Sequence, residues 1–122
     1  GGGDLDIDGD KVTIKGDDGE KVTFGDSKWP AYELVKNIPE FKDGAVDGVL
    51  ESADSIVITL ESVKEEDVSS YWETIKKDFS KDVYEMIATD FITVNGHNDE
   101  GINVSLVYMS EVLTITVTAS QQ

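Results

Sequence analysis

From Ile102 to Thr118 the chain alternates with few breaks. Ile102, Val104, Leu106 and Tyr108 are separated by Asn103, Ser105 and Val107, and Leu113, Ile115 and Val117 are interleaved with threonines. Successive side chains of a strand point to opposite faces, so this period builds a sheet with one covered face and one open face. It excludes an all-helical fold, whose apolar stripe returns about every 3.6 residues. The same period runs through the N-terminal segment, where Leu5 and Ile7, Val12 and Ile14, and Val22 and Phe24 are the apolar members. Gly9-Asp10 and Gly16-Asp17-Asp18-Gly19 are turn chemistry, because Gly and Asp tolerate positive φ at hairpin corners. Asp10–Ile14 and Glu20–Phe24 resemble each other, which reads as the matched strands of a hairpin, since a solenoid needs at least three repeats to bury a continuous core.

Further strands are expected at Val46–Leu50 and Ile56–Val63, around Ser52–Ser55, and at Val83–Ala88 and Phe91–Val94. Asn95–Gly101 reads as a hairpin loop and Met109–Glu111 as a tighter one. After Ser27-Lys28-Trp29, Pro30 begins one or two helical turns that Pro39 closes. The clearest helix carries Val68, Trp72, Ile75 and Phe79 on one stripe, at spacings of four, three and four. Ser62 and Glu65 are placed for a capping box, Glu65, Glu66 and Asp67 complement the positive helix start, and Glu73 and Lys77 form an i,i+4 pair. Tyr71 stands about 60° off the stripe, so partial exposure is expected. Ser80-Lys81-Asp82 marks the exit. The expected fold class is α+β, an antiparallel sheet packed against one main helix with an N-terminal β-hairpin. Residues 1–3 read as a Gly-rich tether. Residues 4–122 read as one domain, with the hairpin at 4–26 and the sheet–helix body at 27–119.

Composition narrows the chemistry. The 122 residues hold 26 Asp and Glu against 10 Lys and Arg, a formal net charge of -16. Such a chain is repelled by phosphate backbones and anionic lipid, which argues against nucleic acid and against membrane-surface binding through charge. All ten basic residues are Lys, so bidentate guanidinium recognition is unavailable. The absence of Cys removes thiolate nucleophiles, iron–sulfur clusters and Cys-based zinc sites. No apolar run approaches the roughly 18 residues of a membrane span.

Asp4, Asp6, Asp8 and Asp10 imitate the first half of an EF-hand loop, but Lys15 stands where the bidentate Glu belongs. A solvated acidic strand edge accounts for the same residues. Asp99 and Glu100 are the other acidic pair that could hold a cation, with His97 beside them as an imaginable ligand or general base. No G-x-S-x-G elbow is present, and no catalytic residue and no cofactor are assigned. Trp29, Tyr32 and Tyr71 are the candidates for a partner surface, because Trp and Tyr are enriched where interfaces are strongest.

The succession Trp29-Pro30, Leu34, Ile38-Pro39, Gly44, two strands, Val63, Glu66-Asp67-x-x-x-Tyr71, Phe79, an Asp- and Gly-rich hairpin and Leu113-Thr114-Ile115-Thr116 resembles a family of small clostridial-type lipoproteins that carry a domain of unknown function. The likeness covers about Trp29 to Val117. It implies a signal peptide and a lipidated Cys just upstream of Gly2, and hence an extracytoplasmic, lipid-anchored setting on a Gram-positive-type cell surface. Lys64 stands where the family often has a capping Ser, and Asp78 where it usually has a helix-ending Gly. The resemblance carries no catalytic residues. The expected function is therefore a non-enzymatic interaction or structural role toward a protein or cell-envelope partner. A divalent-cation (Ca) or small-ligand binding module is the alternative, and a weak hydrolase the third reading.

Overall fold

The alternating C-terminal strands form the centre of the sheet. In the computed structural model, which describes residues 4–8, 11–15, 21–24 and 28–119, the chain begins with β1 (Asp4–Asp8), β2 (Lys11–Lys15) and β3 (Lys21–Phe24). A 3-10 helix (Glu33–Asn37), β4 (Ala45–Glu51), β5 (Ser55–Glu61) and α1 (Glu65–Lys76) come next. The chain closes with β6 (Lys81–Ala88), β7 (Phe91–His97), β8 (Ile102–Met109) and β9 (Val112–Ala119). The strands pair antiparallel in the order β1-β2-β3-β4-β5-β9-β8-β7-β6.

Among the described residues the fold is mostly β with one α-helix, a heavier share of strand than the α+β expectation carried. The expected N-terminal hairpin is instead three strands, with β3 pairing onto β4. The tether at 1–3, the turns at Gly9-Asp10 and Gly16–Gly19, and Asp10 itself lie outside the described residues.

Three rows of residues cross the covered face: Ile56, Val117, Val104 and Gly96; Ile58, Ile115, Leu106 and Val94; Leu60, Leu113, Tyr108 and Ile92. All are buried. Each large aliphatic in these rows contributes about 1.5–3 kcal/mol relative to an exposed position. Two covers share that face. α1 packs on β7 and β8 through Val68, Trp72 and Ile75, while the 3-10 helix packs on β5 and β9 through Val35, followed by buried Ile38 and Phe41. The single helix is thus half of the cover. The short turn after Trp29, which starts three residues beyond Pro30, completes it.

Gly96 shows how tightly β7 is covered. A Cβ there would collide with the carbonyl of Phe79, and the strand continues to His97 where a loop was expected from Asn95. The remaining loop is tied by Asn98, whose Oδ1 accepts the amides of Glu100 and Ile102 at 2.9 and 2.8 Å. Ser110 and Glu111 turn between β8 and β9 with φ of 51° and 67°, the paired positive values of a two-residue hairpin.

Candidate functional site

Trp29 follows β3 and packs, half-buried, against the edge of the core. With Lys28, Glu40, Phe41, Lys42 and Val46 it lines a cleft of about 510 Å³ on the margin of β4. Phe41 is the buried member of the lining, whereas Lys28, Glu40 and Lys42 are exposed and bring both signs of charge to the cleft. Such a cleft suits a partner side chain or small ligand that has an apolar ring and polar groups at its rim. A second cleft of about 230 Å³ lies on the other side of the Glu40–Asp43 segment, reaching Asp67, Ser70, Tyr71 and Thr74 on α1.

The other two aromatic candidates do different work. Tyr32 is half-buried, and its hydroxyl donates to the carbonyls of Ser52 and Ala53, so it pins the β4–β5 turn against the segment that follows Trp29. Tyr71 is buried, against the expectation of partial exposure. Its ring meets Phe41 edge-on at 5.0 Å and 86°, and its hydroxyl donates to the Pro39 carbonyl at 2.6 Å. Desolvation raises its hydroxyl well above the ordinary tyrosine range. Tyr71 therefore joins the two halves of the cover. The wheel missed this because the segment from Ile38 to Phe41 folds over the flank of the helix, a placement that periodicity does not encode.

The acidic candidates are spread apart. Asp4, Asp6 and Asp8 lie on extended β1, opposite Lys15, Thr13 and Lys11 in the register, rather than in a loop that could ring an ion. Asp99 pairs with Lys81 at 2.9 Å, and the Glu100 amide is held by Asn98. His97 closes β7, with Nδ1 4.0 Å from Asp82 Oδ2 and without a hydrogen-bond partner among the described residues. Among the described residues no group of three His, Cys, Asp or Glu is placed to hold a metal ion.

Sequence reasoning missed the polar contact that ties the helix to the sheet. Glu85, on β6, accepts the Trp72 indole N–H at 2.6 Å and Lys76 Nζ at 3.1 Å. The indole first and the ammonium second hold its carboxyl below the usual range, and hydrogen bonds to Glu73 and Glu85 raise Lys76. Lys76 is 2.9 Å from Glu73, so the helix pairs its charges at i,i+3 in place of the expected Glu73–Lys77 pair. The expected capping box is also replaced. Lys64 is the N-cap and makes no side-chain bond, Ser62 lies outside the helix at φ 57°, and Glu65 accepts the Asp90 amide at 2.7 Å. Asp78, where the family resemblance puts Gly, is not left-handed.

Comparison with family models, curated proteins and solved structures finds no match to the chain.

Proposed function

We propose that this chain is a non-enzymatic binding domain that engages a protein or cell-envelope partner through the Trp29 cleft. The observation that carries this reading is the junction of a half-buried indole, a buried aromatic ring and three exposed charges in one cleft of about 510 Å³. A small ligand bound in the same cleft is the variant of this reading in which no protein partner is needed. The setting, an extracytoplasmic surface reached by a lipid anchor, rests on the likeness to clostridial-type lipoproteins. An encoded sequence without an apolar stretch ending in Cys just upstream of Gly2 removes that part.

The cleft is tested by titrating the protein with short synthetic peptides that carry a central aromatic residue flanked by one lysine and one glutamate, while following backbone amides by NMR. Saturable shifts confined to Lys28–Val46 are expected. Trp29→Ala should weaken binding about tenfold, equivalent to roughly 1.4 kcal/mol, whereas Tyr32→Phe should leave it unchanged. Shifts that never saturate, or that survive Trp29→Ala, overturn the assignment.

A further inference from the structure

The outermost strand, β6, pairs only with β7 among the described residues, so one side of its backbone faces no other strand. All eight of its residues are exposed. Edge strands are usually blunted by charges, prolines or bulges, because a row of open N–H and C=O groups templates pairing with another chain. In β6 these devices are concentrated at the start, where Lys81 and Asp82 precede a register shift that ends at Tyr84. From Val83 to Ala88 the one charged side chain is Glu85, and it is engaged by Trp72 and Lys76 on the helix side.

The register divides the rest between two faces. Ile87 stands with Glu85 on the helix side, opposite Ile92 and Val94, while Tyr84 and Met86 stand on the other side, opposite Asn95 and Thr93. Tyr84 and Met86 are each 47% exposed and Ile87 is 59% exposed, so apolar surface flanks the open edge on both faces. The stretch is bracketed by exposed acids, Asp82 at one end and Asp90 just past the other.

We propose that the open edge of β6 docks an extended segment of another protein, apolar at alternate positions and basic at both ends, which joins the sheet as an added strand. The backbone row calls for an extended main chain, and Tyr84 and Met86, which share the face without Glu85, call for apolar neighbours at alternate positions. Charge selects the occupant. A second copy of this chain would bring a further -16 and set acid-bracketed edges against each other, whereas a basic segment is drawn in by the same field. This surface is separate from the Trp29 cleft, and the inference does not rest on that assignment.

The test uses the intact chain and a synthetic peptide of alternating valine and threonine with lysines at both ends. Amide shifts and slowed amide exchange are expected along Val83–Ala88, with affinity at least about tenfold above that of the same peptide ended by glutamates. Methylating alternate backbone nitrogens of the peptide on its pairing edge should abolish binding, because the ladder loses its donors. Met86→Lys, on an exposed face, should weaken binding about tenfold without moving the thermal midpoint. Three results overturn the proposal: no binding at about 1 mM peptide, shifts centred on another part of the chain, or undiminished binding of the methylated peptide. Self-association of the chain that Met86→Lys removes also overturns it, by assigning the edge to a second copy.

Discussion

Gly96 is the residue at which local pattern and packing are furthest apart. Next to Asn95 and His97 it resembles loop punctuation, yet it is a buried strand position that lets the Phe79 carbonyl lie against β7. Gly96→Ala should therefore destabilise the fold by about 2 kcal/mol or more, through a clash with backbone that cannot rotate away. Denaturant unfolding monitored by tryptophan fluorescence checks this, and a loss under about 0.5 kcal/mol would show that the chain around Phe79 gives way. The aromatic candidates divide on the same grounds. Trp29 borders open space and Tyr71 is enclosed, a difference of surroundings rather than of residue type. Composition placed both in one class, because Trp and Tyr serve cores and interfaces alike.

The helix and strands were read from their periods, and the readings failed where side chains had a choice of partner. Val68, Trp72 and Ile75 are buried on one stripe of α1, whereas Phe79, expected on the same stripe, is buried three residues beyond the helix end at Lys76. The capping box did not form because the chain enters α1 at Lys64, and Glu65 reaches the Asp90 turn instead. That leaves a helix start without a side-chain cap. Lys64→Ser should supply one, raising stability by about 1 kcal/mol, and Lys64→Ala should not. Parallel thermal melts of the two variants separate capping from the mere removal of a lysine next to the helix. β6 carries the same lesson in reverse. Its apolar run promises burial, but an edge position leaves it open on both faces, and strand order is absent from a linear pattern.

Among the described residues no acid is buried, and one exposed acid bridges the layers of the fold. Glu85 links β6 to α1 through Trp72 and Lys76, and its depressed carboxyl sets the sign of a pH effect. A group whose folded pKa is lowered stabilises the fold above its unfolded value and loses that contribution as pH falls through the folded value. Stability should thus fall on acidification below the ordinary glutamate range near about 4.3. Glu85→Gln should flatten that part of the profile. Melting midpoints between about pH 3 and 7 read the difference, and a profile identical to wild type would show that the bridge adds nothing. The alternation of apolar and polar residues was enough to specify strands, one covered sheet face and the helix stripe, because period and face are properties of a single element. The partition of the cover between α1 and the 3-10 helix, the burial of Tyr71, the cleft at Trp29 and the open edge of β6 depend on which elements become neighbours. That is settled by packing between distant residues, a many-body balance of shape and burial that local spacing does not record.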